Sequence, residues 1–264
     1  MISIASIESF FTVVTDIQEA GKIYSHSGTV PMQFCQTLVK LDDLEEALQD
    51  EHTSRYLISL LSPEEKKLFS TFTYPKRRRE WLGGRLAAKS AVLQFLQVDS
   101  TIKTLPELSI LPTENGSPQL SSAILGKDKL PVLSISHSNR FAVAMATNAK
   151  SCGIDIQKIS EQTERVADRF SEPDELLLLK DHAPLLNTHE RMTLLWSAKE
   201  ALKKALLHDQ PVIFQGVVLQ SMNVNQYFTL HLHFPGNLNR PAEVTAIMLE
   251  DCILAYTIAK TCHA

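Results

Sequence analysis

Asp155 and Gln157 stand two residues apart in CGIDIQ (152–157), and Glu200 and Lys204 four apart in WSAKEALKK (196–204). In a strand, alternation sends Asp155 and Gln157 to one face and Ile154 and Ile156 to the other. A carboxylate and an amide oxygen side by side are hard ligands suited to Mg²⁺, which takes one or two carboxylates plus substrate phosphates. On a helix, Leu194, Ala198, Ala201, Leu202 and Ala205 form an apolar stripe. Glu200 and Lys204 flank one edge of it with Ser197 beside them, while Lys199 and Lys203 point away. A carboxylate and an ammonium at that edge can line a cleft. The plainer alternatives are an exposed strand face and an ordinary Glu–Lys helix pair contributing a few tenths of a kcal/mol.

A second group of residues is basic. In KRRREWLGGRLAAKSAVLQFL (76–96), Leu82, Leu86, Lys89, Leu93 and Leu96 share one helical face, and Arg85 lies one step to its side. Lys89 thus occupies an apolar slot, where it must snorkel out or face an anion. The run Lys76 to Arg79 sits at a helix N-terminus, where the dipole disfavours cations. A bound phosphate would remove both conflicts; a solvated basic face is the alternative. Ser136 and His137 end a strand in SISHS (134–138). No G-x-S-x-G elbow surrounds Ser136, so an anion contact from His137 suits the segment better than a nucleophilic serine.

These groups need elements to hold them. The pattern predicts helices over 43–61, from the Ser62-Pro63-Glu64-Glu65 start, over 77–97, around 161–170, from near Ser171-Glu172-Pro173, and over 190–207. The Ser62 start has a capping serine, a proline in the first turn and acids near the positive dipole end. Strands are predicted at 132–135, 141–147, 152–156, 217–220, 227–234, 243–249 and 253–258, with Gly236 and Asn237 turning a hairpin. Residues 104–131, rich in Pro, Gly and Ser, read as loop. The mixture lacks a clean βαβ alternation and predicts an α+β fold. No sequence repeat is evident. Leu176–Leu179 cover all sides of a helix, so they are either core or a partly exposed docking patch.

The bulk numbers bound the function. The chain has 264 residues, 44% of them hydrophobic, and a net charge of −4. It can bury one large core or two modest ones, and the acidic balance argues against nucleic-acid binding. Four cysteines without CxxC spacing suggest idle thiols in a reducing cytoplasm. Glu8 interrupts the apolar N-terminal run, which argues against a signal peptide, and no stretch approaches a membrane span.

Taken in order, RRREWLGGRLAAK, the Gly-x-Pro of ENGSPQL, SISHS, CGIDI and WSAKEALKKA resemble the surfactin-synthetase-activating type of 4′-phosphopantetheinyl transferase, over roughly residues 60–210. The resemblance implies two similar α/β halves with pseudo-twofold symmetry. Residues 1–149 would carry the basic coenzyme A-binding helix, and 150–264 the Mg-binding and catalytic residues. It implies transfer of the phosphopantetheine arm of coenzyme A to a serine of an apo acyl- or peptidyl-carrier protein, in a cytoplasmic monomer that uses Mg²⁺ or Mn²⁺ and binds neither nucleic acid nor membrane. Asp155, Glu200 and Lys204 would be catalytic, and Asp155, Glu200 and Gln157 would hold the metal. Arg79, Arg85, Lys89, Ser136, His137 and Lys204 would bind coenzyme A. Two departures stand out: Gln157 where the family often has glutamate, and Ser117 where many relatives have lysine. They keep open a catalytically impaired relative that binds coenzyme A or carrier. Another Mg-dependent coenzyme A or nucleotide enzyme is the remaining alternative.

Overall fold

The computed structural model describes residues 33–96, 102, 104–206, 216–233 and 241–259. The chain divides into two compact units, one ending at Ser151 and the other beginning at Cys152. The architecture is α+β.

Unit 1 opens with strand β1 (Phe34–Lys40), then helices α1 (Leu41–Ala47), α2 (Glu51–Ser59), α3 (Pro63–Phe69) and α4 (Pro75–Leu96). Strands β2 (Leu108–Pro112), β3 (Pro118–Ser122), β4 (Val132–His137) and β5 (Phe141–Thr147) follow. β5 is central in the order β1-β5-β4, and both of its pairings are antiparallel. Its seven residues are all buried, because α4 packs on the same sheet. The single helix expected over 43–61 is two, since Asp50 breaks the run by accepting the Thr53 N–H at 2.7 Å and capping α2. The expected loop at 104–131 contains the β2–β3 hairpin. Thr113 and Ser117 close its turn through N–H to carbonyl (2.9 Å) and hydroxyl to hydroxyl (2.7 Å) contacts. Gly116 takes φ +80° there, which glycine adopts without the Cβ clash that other residues meet.

Unit 2 contains β6 (Ser151–Lys158, whose first residue is the last of unit 1), α5 (Glu161–Arg165), a 3₁₀ turn (Ala167–Arg169), α6 (Pro173–His182) and α7 (Thr188–Leu206). Strands β7 (Val218–Val224), β8 (Phe228–His233), β9 (Ala242–Leu249) and β10 (Cys252–Ala259) complete it. The sheet order is β6-β10-β9-β8-β7, with α7 packed mainly on β10. Asn187 caps α7, accepting the Glu190 N–H at 3.0 Å while the Glu190 carboxylate accepts the Asn187 N–H at 2.7 Å. The Gly236-Asn237 turn lies outside the described residues. Among the described residues no helix is long and apolar enough to cross a membrane.

The two units repeat one plan: a strand, short helices, a proline-initiated helix, a long helix, a hairpin and two more strands. One constant offset along the chain converts Ser62, Pro63, Glu65 and Lys89 into Glu172, Pro173, Glu175 and Lys199. The two similar halves that the resemblance implies are thus present as a repeat of elements, although the sequence itself reads as non-repeating. Only the structure makes the correspondence visible, because so few identities survive.

Those residues form the same construction twice. In unit 1, Glu65 is fully buried beside fully buried Lys89, 2.6 Å from its ammonium. The Glu65 carboxylate also accepts the N–H groups of Ser62 (2.8 Å) and Ile110 (3.0 Å). In unit 2, Glu175 lies 2.8 Å from the Lys199 ammonium and accepts the N–H groups of Glu172 (2.8 Å) and Leu219 (2.6 Å). Each lysine also donates to the carbonyl five residues before its glutamate, Leu60 at 2.9 Å and Phe170 at 2.6 Å. Each carboxylate thus ties a helix N-terminus, a long helix and a strand edge together. Buried charges persist only when paired and hydrogen-bonded in this way.

Candidate active site

Unit 2 brings Asp155, Gln157, Glu200 and Lys204 together. Asp155 lies on β6 and is only 2% exposed. Its Oδ1 is 2.8 Å from the Lys204 ammonium, and its Oδ2 accepts the Gln157 amide N–H at 3.0 Å. Lys204 also donates to the Ile154 carbonyl at 3.0 Å. Glu200 is half-buried, and its carboxyl is pushed above the ordinary value, first by burial and then by the Asp155 charge. Lys203 and Lys204 oppose that rise.

Close approach of β6 and α7 makes this possible. A Cβ at Gly153 would lie 1.8 Å from the Ala201 carbonyl oxygen, so only glycine lets the helix seat on this strand. Asp155 follows two residues later on β6, and Glu200 precedes Ala201 on α7. Two carboxylates now act on each other at low solvent exposure, with one ammonium bonded to Asp155 and near enough to Glu200 to oppose the rise of its pKa. A divalent cation would offset the remaining repulsion, and two carboxylates with an amide oxygen fit Mg²⁺. Among the described residues no group of three or more His, Cys, Asp and Glu side chains could hold a metal, so the amide of Gln157 and outside ligands would have to complete the shell.

The structure adds a partner for Lys199. This lysine does point away from the Glu200 edge, but it is 1% exposed and bound to Glu175 rather than solvated. Sequence reasoning missed Glu175, Lys199 and Gly153. The recurring Pro-x-Glu with a lysine at a fixed distance is the signal that could have found the first two.

In unit 1 the basic residues divide. Lys89 is corrected: it is 0% exposed, and its ammonium is occupied by Glu65 and the carbonyls of Leu60 and Leu105. The anion it faces is internal, which leaves no donor for a phosphate. Arg78 donates to the carbonyls of Phe69 (3.3 Å) and Phe72 (3.1 Å), and its guanidinium lies 4.1 Å over the Phe69 ring. Arg79 pairs with Glu45. Its Nε is buried without a partner, among the described residues.

Arg85 differs from all of these. It is 8% exposed, and its guanidinium rests 4.6 Å over the Trp81 ring. Among the described residues it has no hydrogen bond or ion pair, and its Nε is an orphaned buried donor. Burial pushes its pKa down to about 10, opposed by Glu65 and reinforced by Arg77. A buried guanidinium in this condition favours an anion. His137 Nδ1 lies 3.8 Å from Glu80, which also approaches Lys76 at 3.8 Å, and Ser136 is buried on β4. Ser117, where a lysine was expected, serves the β2–β3 turn.

Comparison with known proteins completes the picture. The sequence model of the 4′-phosphopantetheinyl transferase superfamily matches residues 151–238, and that of the 4′-phosphopantetheinyl transferase N-terminal domain matches residues 64–147. A holo-[acyl-carrier-protein] synthase from Geobacillus sp. (strain WCH70) is 32% identical over 108 residues, covering 40% of this chain and 87% of that protein. The 4′-phosphopantetheinyl transferase gsp of Aneurinibacillus migulanus is 28% identical over 159 residues, 60% of each chain. Among solved structures, the holo-(acyl-carrier-protein) synthase from Bacillus anthracis str. Ames in complex with CoA (3′,5′-ADP) aligns with a TM-score of 0.36 at 24% identity, over 43% of this chain and 92% of that one.

Proposed function

This chain belongs to the 4′-phosphopantetheinyl transferase superfamily, and from that premise we propose that it transfers the 4′-phosphopantetheine arm of coenzyme A to a serine of an apo acyl- or peptidyl-carrier protein. The products are holo-carrier and 3′,5′-ADP. The observation that carries the reading is the convergence of Asp155, Glu200 and Lys204, with two carboxylates and one ammonium at a glycine-seated strand–helix contact.

Asp155, Glu200 and the Gln157 amide oxygen would hold Mg²⁺, which would supply electrostatic stabilisation of phosphate charge. Glu200, or a water it orients, accepts the proton of the carrier serine hydroxyl. The serine oxygen bonds to the phosphorus carrying the pantetheine arm as the bond from that phosphorus to the ADP oxygen breaks. The Lys204 ammonium neutralises charge growing on that leaving oxygen. Catalysis of this kind is positioning plus electrostatics, as in other phosphoryl transfers. Unit 1 offers Arg85 as a phosphate donor, with Arg79, Ser136 and His137 as further contacts to coenzyme A. The chain length and the two matched segments favour the surfactin-synthetase-activating type, in which one chain carries both halves.

The test mixes the protein with apo-carrier, coenzyme A and Mg²⁺ and weighs the carrier by mass spectrometry. We expect the mass of one phosphopantetheine to be added, and Glu200→Ala to abolish the addition while the fold persists. Full addition by that variant would remove Glu200 from the mechanism. A panel of apo-carriers from fatty-acid, polyketide and nonribosomal peptide systems then tests the type.

A further inference from the structure

We infer that Glu175 and Lys199 are positioning residues for the transfer, fixing the rotation of α7 about its own axis so that Glu200 faces Asp155. This rests on the functional reading above. Consecutive helical residues project about 100° apart, because 3.6 residues complete a turn. Residues 199, 200 and 201 therefore leave the helix in three directions, and two of the three are held. The Lys199 ammonium reaches both Glu175 carboxylate oxygens at 2.8 Å and the Phe170 carbonyl at 2.6 Å, which uses all three of its donors. Glu175 is itself held by the N–H groups of Glu172 and Leu219. The Ala201 carbonyl sits against Gly153 on the strand that carries Asp155. Glu200 lies between these two restraints.

Apolar packing alone would hold α7 to the sheet but would tolerate small rotations. Directional bonds from a fully buried ammonium do not. The twin pair in unit 1 separates this role from simple stability. Lys89 is bound just as tightly to Glu65, yet the residue after it is Ser90, and the position matching Lys204 is Gln94. The same construction in unit 1 therefore aims no carboxylate.

Two double variants test the inference: Lys199→Met with Glu175→Gln, and Lys89→Met with Glu65→Gln. Each removes both charges of one pair, so neither strands a buried ion. Three quantities are read: the melting temperature, kcat and KM in the mass-gain assay, and Mn²⁺ affinity measured by titration of its paramagnetic resonance signal without carrier. Both doubles should lose comparable thermal stability. Only the unit 2 double should lower kcat and weaken Mn²⁺ binding, each by roughly 10- to 100-fold, the range found when a partner that orients a metal ligand is removed. The unit 1 double should keep kcat within about two-fold. Glu175→Asp, which keeps the charge and shortens the reach, should give the same loss of Mn²⁺ affinity in a folded protein if the double does not fold. Wild-type kcat and Mn²⁺ affinity in a folded unit 2 variant would overturn the inference, as would an equal fall in kcat for the unit 1 double. A wild-type protein that neither binds Mn²⁺ nor loads a carrier would overturn the functional reading and this one with it.

Discussion

Unit 1 and unit 2 hold the same buried pair, Glu65 with Lys89 and Glu175 with Lys199, at matching places in the same order of elements. What differs is the residue beside the lysine and the strand that faces it. Unit 2 has Glu200 next to Lys199 and Asp155 on β6. Unit 1 has Ser90 next to Lys89, and β1 (Phe34–Lys40) contains no carboxylate. The seats of the long helices differ in the same sense. Gly153 brings α7 onto β6 by having no side chain, whereas Thr37 on β1 meets α4 through its hydroxyl, 2.5 Å from the Ala87 carbonyl. The scaffold charges offset one another, because every one of them is paired. The Glu200 carboxylate does the reverse, being half-buried and repelled by Asp155. A common frame thus carries reactive groups on one copy only.

The comparison can be broken most forcefully at the pairs. Glu65→Ala and Glu175→Ala each strand a buried lysine and should cost about 3–5 kcal/mol in urea unfolding. A much smaller cost in one unit would end the equivalence. At the helix seats, Gly153→Ala should cost about 1–3 kcal/mol of overpacking and also lower transfer, since the residue displaced lies next to Glu200. Thr37→Val should cost about 1 kcal/mol, one hydrogen bond, and leave kcat intact. Ser62→Ala should cost a similar amount, about 1 kcal/mol, for a lost cap. Unit 2 has Glu172 at that place and should respond less.

The smallest effect has the opposite sign. Burial and Asp155 raise the Glu200 carboxyl, so the folded chain holds its proton to higher pH than the unfolded chain does. Stability from this group is fully present below the ordinary glutamate pKa and is lost as pH rises through the raised one. Glu200→Gln should therefore raise the melting temperature slightly at neutral pH without metal, and should abolish the stabilisation that Mg²⁺ gives the wild type. A drop in melting temperature would mean that Glu200 is paired rather than repelled.

Much of this was readable from residues. Proline with acids marked the starts of α3 and α6, and alternation placed Asp155 on a strand beside Gln157. The helical stripe put Glu200 and Lys204 on one edge of α7. Periodicity also put Lys89 in an apolar slot where it must snorkel out or face an anion, but it could not name Glu65 as that anion, because the contact is made by folding and has no local signature. Glu175 and Lys199 were hidden for the same reason. The β2–β3 hairpin was obscured by Pro112 and Pro118, which read as loop formers although they pair with each other at the turn end of a five-residue ladder. β1 was missed because FCQTLVK alternates poorly, and four of its residues are buried in succession.

The glutamate in each pair has one more consequence. β2 and β7 each end a ladder, and the outward N–H groups of Ile110 and Leu219 would be open to pairing with another chain. Glu65 and Glu175 accept those two N–H groups. Two carboxylates buried for architectural reasons therefore also blunt two sheet margins, so a chain that has lost either one should be prone to self-association even where its active site is intact.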